Sequence, residues 1–135
     1  MTKLSVVIPC YNESETLSDV VGSVLALASE QLAVEVLIVD DCSTDGSLKI
    51  AEELAASHET VKILRHEVNQ GKGAALRTGF RAATGDCVCV QDADLEYDPR
   101  DYLAMLVPIA EGRADVVFGS RYLQAESCRV LRWWH

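Results

Sequence analysis

Leu4-Ser5-Val6-Val7-Ile8-Pro9-Cys10-Tyr11-Asn12-Glu13 is the stretch that decides the fold. Its first five residues are nearly all apolar and rich in β-branched side chains. A short apolar run without alternation is the pattern of a strand buried on both faces. Pro9 is expected to stop that strand, because proline cannot donate to a ladder. Cys10 to Glu13 then reads as a loop, and Asn12 or Ser14 is a candidate cap for the helix that follows. That helix shows Leu17, Val20, Val21, Val24, Leu25 and Ala28 at spacings of three and four.

The same unit recurs along the chain. Residues 34–39 form a second apolar strand, ending in Asp40-Asp41-Cys42-Ser43-Thr44-Asp45-Gly46-Ser47, a run of turn and cap residues. Asp45 is read as the N-cap of a second helix marked by Leu48, Ile50, Ala51, Leu54 and Ala55. Residues 61–64 are a third strand, and Asn69-Gln70-Gly71-Lys72-Gly73 leads into a helix through Ala74, Ala75, Leu76 and Phe80. Residues 87–90 are a fourth strand. Pro99 fits the first turn of a fourth helix, with Tyr102, Leu103, Leu106, Val107 and Ile109 inward and Pro108 as its kink or end. Asp115 to Gly119 reads as a fifth strand. Alternation of this kind implies an α/β fold of three αβα layers, a Rossmann-like, mostly parallel sheet with helices on both faces.

The acidic stretch Gln91-Asp92-Ala93-Asp94-Leu95-Glu96 follows the fourth strand. If the backbone stays extended, Asp92, Asp94 and Glu96 share one side. Clustered carboxylates call for a cation, a shared proton or exposure to water. Hard ions such as Mg²⁺ or Mn²⁺ suit oxygen donors. An acidic loop at a strand end would explain this stretch by itself. In open parallel sheets, however, ligands bind beyond the carboxyl ends of the strands. Three such ends carry polar or acidic residues here: Tyr11 to Glu13, Asp40 and Asp41, and Asp92 to Asp94.

Composition narrows the partners. The chain has 135 residues, 49% hydrophobic, enough for a domain with a core, and a formal net charge of -9. Nucleic acid is excluded as an expected partner, since phosphate binding of that kind needs a basic face. The five cysteines, Cys10, Cys42, Cys87, Cys89 and Cys128, include no CxxC. They read as reduced thiols of a cytoplasmic protein rather than a disulfide or zinc framework. The N-terminus runs straight into a strand without a signal peptide, and no apolar run spans a bilayer. His58 and His66, on a helix end and a loop, have no histidine at i+4 and are not read as metal ligands. Tyr102 reads as core.

Five blocks carry a family resemblance: Val7-Ile8-Pro9-Cys10-Tyr11-Asn12-Glu13, Val39 to Gly46, Asn69 to Gly73, Asp92-Ala93-Asp94, and Gly119-Ser120-Arg121-Tyr122. Together they resemble family 2 glycosyltransferases of the GT-A fold. The pattern is most similar to the polyprenyl- or dolichyl-phosphate mannose and glucose synthases. The resemblance covers residues 4–124, taken as the nucleotide-sugar-binding domain, with 125–135 the start of an acceptor segment. It implies inverting transfer of a hexose from a nucleotide-diphosphate sugar, of GDP-mannose or UDP-glucose type, to a lipid-phosphate or sugar acceptor.

The resemblance also implies roles. Pro9, Tyr11 and Glu13 match a nucleotide-contacting segment, and Asp40 a base- or ribose-binding acid. Asp92 and Ala93 match positions along the nucleotide and diphosphate; Asp94 with Glu96 matches the metal-binding pair of a DXD motif, where the family often has Gln in place of Glu96. Arg121 matches a basic residue near a phosphate. Lys72 is a candidate phosphate contact, although Gly71-Lys72-Gly73 lacks P-loop spacing and an exposed lysine at a helix start explains it as well.

Relatives in this group continue well past residue 135 into acceptor-binding and membrane-associated segments. The expectations are therefore weak nucleotide binding, little transfer and self-association of this chain, with membrane contact at the cytoplasmic face. The tail Leu131-Arg132-Trp133-Trp134-His135 suits an interface or a helix start equally. Three other classes compete. A signalling receiver shares the βα pattern and an acidic pair, but its pair follows the first strand and a lysine follows the fifth. A non-catalytic nucleotide-sugar-binding module would use the same crevice. A nucleotidyltransferase would show a glycine-rich basic loop after the first strand, where this chain has Pro9 to Glu13.

Overall fold

The computed structural model describes residues 1–120. Arg121, Tyr122, Cys128, the expected boundary at 124 and the aromatic tail lie outside the described residues. By its internal contacts the chain divides into a unit of Met1–Pro99 and a second unit beginning at Arg100.

The first unit contains β1 (Thr2–Cys10), α1 (Leu17–Leu25), β2 (Leu32–Asp40), α2 (Ser47–Ser57), β3 (Val61–Arg65), α3 (Lys72–Ala82) and β4 (Cys87–Val90). All strands are parallel, in the order β3-β2-β1-β4. β1 and β2 are central. Val6, Val7, Ile8, Val36, Leu37, Ile38 and Val39 are fully buried. Each such side chain stabilises the fold by roughly 1.5–3 kcal/mol relative to exposure.

Period two sorts these residues between the layers. Val7, Leu37 and Val39 meet Ala75 of α3 on one face. Val6, Ile8, Val36 and Ile38 point to the other, where α1 and α2 pack together and on β2 and β3. α3 lies very close to β1: a Cβ at Gly79 would sit 2.3 Å from Val7 Cγ1. That explains the small-residue face of this helix. Phe80, by contrast, is exposed.

Several expectations are corrected. β1 continues through Pro9 to Cys10, with Pro9 in register with Val39. The C=O of Val7 accepts from Gln91 N on the β4 side, and that of Cys10 from Asp41 N on the β2 side. Pro9, two residues after Val7, therefore turns its missing N–H towards β4, past Val90 where that ladder ends. The N-cap of α1 is Thr16, not Asn12 or Ser14, and it makes no side-chain cap bond. Gly46 caps α2; Asp45 acts one residue earlier, accepting from Ser47 N at 2.8 Å.

β2 holds a charged residue inside its apolar run. Glu35, 3% exposed, lies near the amino ends of the strands. Its Oε1 accepts from Ser5 Oγ at 2.6 Å and Thr84 N at 2.6 Å. Its Oε2 meets Lys3 Nζ at 3.1 Å and Lys62 Nζ at 3.4 Å. Gly85 N donates to Ser5 Oγ at 2.8 Å, and a Cβ on Gly85 would lie 2.7 Å from Lys3 O. This network pins the α3–β4 turn to the sheet. Burial raises the Glu35 pKa, but the bonds from Ser5, Thr84 and Lys3 outweigh it and bring the group from 4.5 down to about 2.

In the second unit, α4 spans Asp101–Ala110. Pro99 precedes its N-cap Arg100, and the helix runs two residues beyond Pro108. Of the residues expected inward, Tyr102, Leu106 and Ile109 are half-buried, whereas Leu103 and Val107 are nearly half exposed; none is fully buried. Residues 115–119 are not a strand: they join no ladder, and Val116 and Phe118 are exposed. An apolar run needs a neighbouring edge before it becomes a strand, and among the described residues none pairs with it. No described helix is long and apolar enough to cross a membrane.

Candidate functional site

β1 pairs with β2 on one side and β4 on the other. The chain builds outward from β1 to β3, then returns across the sheet to add β4. This reversal of direction opens a crevice at the carboxyl ends of β1 and β4. The crevice encloses about 200 Å³. After β1 it is lined by Pro9, Cys10, Tyr11 and Glu13, after β2 by Asp41, on α3 by Lys72 and Ala75, and after β4 by Asp92, Ala93 and Asp94.

The first two loops brace each other. Asn12 adopts φ 55°, a left-handed conformation that asparagine tolerates, and its Oδ1 accepts from Thr44 N at 2.8 Å and Asp45 N at 3.3 Å. Ser43 Oγ accepts from Asn12 N at 3.1 Å, Ser47 Oγ from Glu13 N at 2.8 Å, and Asp45 Oδ2 from Ser14 N at 3.3 Å. The hydroxyl of Ser47 and its backbone N–H, together with Ser14, hold the Asp45 carboxyl down from 3.8 to about 2. These bonds hold Tyr11 and Glu13 at the rim. Tyr11 is 48% exposed, leaving its ring available as a stacking surface. Cys42 also has a positive φ, 63°, unusual for a residue with a Cβ. Cys10 is enclosed, and burial pushes its thiol up to about 11.

The acidic loop does not stay extended. It bends after Gln91, and Glu96 N donates to Asp94 Oδ1 at 3.2 Å. Asp92 and Asp94 line the crevice; Glu96 is exposed and outside the lining. The expectation of three carboxylates on one side fails, because a local turn costs less than three aligned charges. Two anchors shape this loop. Gln91, 1% exposed, donates through Nε2 to Asp92 O at 3.2 Å and Tyr97 O at 3.4 Å. The Thr16 hydroxyl donates to the carbonyl of Ala93. Lys72 Nζ reaches Asp92 Oδ1 at 2.5 Å, placing one ammonium against the acidic rim.

The two aspartates after β2 separate. Asp41 faces the crevice; Asp40 is behind it and 1% exposed. Asp40 Oδ2 accepts from Ser43 N at 3.3 Å, while Oδ1 has no hydrogen-bond partner among the described residues. A buried acceptor without a donor is costly.

Sequence reasoning placed Asp41 with Asp40 at a strand end facing the crevice but gave the role to Asp40 alone, whereas Asp41 is the one that lines it. The same reasoning missed His66, which is buried, with Nδ1 2.7 Å from Asp41 Oδ1. Neither Thr16 nor Cys10 carried a signal of its own. Among the described residues, no group of three or more His, Cys, Asp or Glu is arranged to hold a metal ion by protein ligands alone. Asp92 and Asp94 are oxygen donors of the kind a hard divalent ion takes alongside other oxygens.

The model of the family described as glycosyl transferase family 2 matches residues 5–134. A dolichol-phosphate mannosyltransferase from Pyrococcus furiosus is 36% identical over 122 residues, covering 90% of this chain and 34% of that protein. An undecaprenyl-phosphate 4-deoxy-4-formamido-L-arabinose transferase from Sodalis glossinidius is 42% identical over 120 residues, covering 85% and 36%. Among solved structures, a mannosyltransferase from Pyrobaculum calidifontis in complex with GDP-Man and Mn²⁺ superposes with a TM-score of 0.66 at 31% identity, covering 78% of this chain and 31% of that one. The chain thus spans about a third of the length of these relatives.

Proposed function

The chain belongs to glycosyl transferase family 2, and from that premise we propose that it supplies the donor half of a glycosyltransferase site. Its substrate is a nucleotide-diphosphate sugar, and the protein transfers the hexose with inversion to a polyprenyl phosphate. The observation that carries this reading is the crevice at the strand-order reversal. There Asp92, Asp94 and Lys72 meet. The curated relatives, which are named for transfer to dolichol or undecaprenyl phosphate, support the acceptor class.

In this arrangement Tyr11 offers a ring face to the base; the base- or ribose-binding role of Asp40 rests on the resemblance, since its carboxylate lies behind the crevice lining. Lys72 places positive charge where the departing nucleoside diphosphate gains negative charge, and Asp94 would hold the divalent cation. When bound, Mg²⁺ or Mn²⁺ supplies Lewis-acid stabilisation to the leaving phosphates. A phosphate acceptor is already anionic, so no general base is assigned. The proposal keeps Glu13, Ala93 and Arg121 in the roles the resemblance implies, with Arg121 outside the described residues; Glu96, exposed and outside the crevice lining, is not kept as a metal ligand. It also keeps peripheral membrane contact at the cytoplasmic face.

The test is transfer of radiolabelled mannose or glucose from GDP-mannose or UDP-glucose to undecaprenyl or dolichyl phosphate in detergent, by the protein with Mn²⁺. Weak labelling of the lipid, lost on Asp92→Ala and Asp94→Ala, is the expected result. Transfer that survives both substitutions would overturn the site.

A further inference from the structure

The nucleotide-sugar reading leaves one buried ionisable group unused. His66 follows β3 and is 7% exposed, whereas His58 is exposed. Its backbone is fixed to the end of β2, with His66 N donating to Asp40 O at 2.9 Å. Its ring is fixed on both sides. Nδ1 lies 2.7 Å from Asp41 Oδ1, and Nε2 lies 2.8 Å from Thr78 Oγ1 on α3. Because an ionised carboxylate only accepts, Nδ1 is the donor to Asp41, and Nε2 meets the threonine hydroxyl, which can donate or accept.

Asp41 passes this constraint on. Its Oδ1 also accepts from Gln70 N at 2.9 Å, and its Oδ2 from Gly71 N at 2.8 Å. Burial pushes the Asp41 carboxyl up, but the Gln70 amide, the His66 ring and the Gly71 amide together hold it below its ordinary range. Gly71 has a φ of +87°, which glycine adopts freely, and the Asp41 carboxylate selects this turn among the conformations open to it. The next residue is Lys72, which starts α3 and reaches Asp92 across the crevice. One continuous set of hydrogen bonds therefore runs from Thr78 through His66 and Asp41 to the turn that aims Lys72.

We propose that His66 is a positioning residue for the donor site: through Asp41 it holds the Gln70–Gly71 turn and so places the Lys72 ammonium over the crevice. The inference rests on the nucleotide-sugar reading above. It assigns His66 no contact with substrate. The effect is carried by geometry, because a charge displaced by an ångström loses much of its value to a bound phosphate.

The test is a double-mutant cycle read by calorimetric titration with GDP-mannose and UDP-glucose in the presence of Mn²⁺. His66→Ala and Lys72→Ala are each expected to raise Kd about tenfold, the value of one charge-assisted hydrogen bond. The double variant should bind no more weakly than Lys72→Ala, since a misplaced lysine and an absent one are equivalent. A structural role for His66 would give losses that add, about a hundredfold in the double variant, and would overturn the inference.

His66→Asn keeps a donor near the Nδ1 position and should restore wild-type Kd, whereas His66→Gln, reaching towards Thr78, should not. If His66→Ala fails to fold, the Asn and Gln pair decides; equal Kd values for the two overturn the inference. Amide hydrogen exchange without ligand gives an independent readout. Exchange at Gln70 and Gly71 should quicken in His66→Ala while β1 and β2 stay protected, and unchanged exchange at both amides would overturn the inference. Wild-type protein that binds neither nucleotide sugar would refute the donor-site reading and this role with it. Additive losses against intact wild-type binding refute the His66 role alone.

Discussion

Glu35→Gln should remove a stabilising charge whose contribution depends on pH in a defined way. The carboxylate is 3% exposed and lies against Ser5, Thr84, Lys3 and Lys62. Folding lowers its pKa from 4.5 to about 2. Such a lowering corresponds to about 3 kcal/mol of stability. The sign follows from linkage. A carboxyl with a depressed folded-state pKa contributes fully above its unfolded value of 4.5, and the contribution is lost as pH falls through about 2. The glutamine keeps the shape but cannot ionise, and its amide group faces the lysines or the Ser5 hydroxyl. Urea unfolding of wild type and variant at intervals from pH 7 to pH 2 measures the difference. It should be about 3 kcal/mol near neutrality and shrink progressively below pH 5. A difference that stays constant across that range would refute the assignment of a charged, paired Glu35. A difference that grows on acidification would refute its sign.

Other perturbations test the packing and the loops. Gly79→Ala sets a methyl 2.3 Å from Val7 Cγ1, and overpacking of about 1–3 kcal/mol should exceed the roughly 1 kcal/mol gain in helix propensity; adding Val7→Ala should recover part of the loss in chemical denaturation. Asp45→Ala removes the acceptor of Ser14 N and Ser47 N and should cost about 1 kcal/mol, the range of a lost cap, measured the same way. The Cys10 thiol, pushed up to about 11, should resist iodoacetamide at pH 8 in the folded protein while Cys42 reacts, as mass spectrometry of the peptides would show.

Much of the donor half was legible because local pattern and topology agree. The buried strands at 4–8 and 34–39, the half-buried strand at 87–90, and the helices between them, follow from apolar runs, periodicity and punctuation. Parallel topology then brings polar strand ends together without any long-range information. The remainder depended on parity and on partners distant in the chain. Asp40 and Asp41 are adjacent, yet a one-residue step turns one inward and the other to the crevice. Glu35 looks like an interruption of an apolar strand until Lys3, Lys62 and Thr84 are brought to it from three other segments. His66 gave no signal, because its partners Asp41 and Thr78 lie 25 and 12 residues away. Pro9 stays in its strand because the neighbouring ladder has already ended, a fact of strand length rather than of residue type. The fifth apolar run looks like the other four, but a strand exists only where an edge receives it.

Calorimetric titration with GDP-mannose and UDP-glucose, with and without Mn²⁺, on the wild-type protein and on Asp94→Ala, tests the central claim most directly. The account predicts saturable binding of one of the two that strengthens with Mn²⁺, and loss of that metal dependence in the variant. Binding of neither by folded wild-type protein, or equal metal dependence in both proteins, would contradict it.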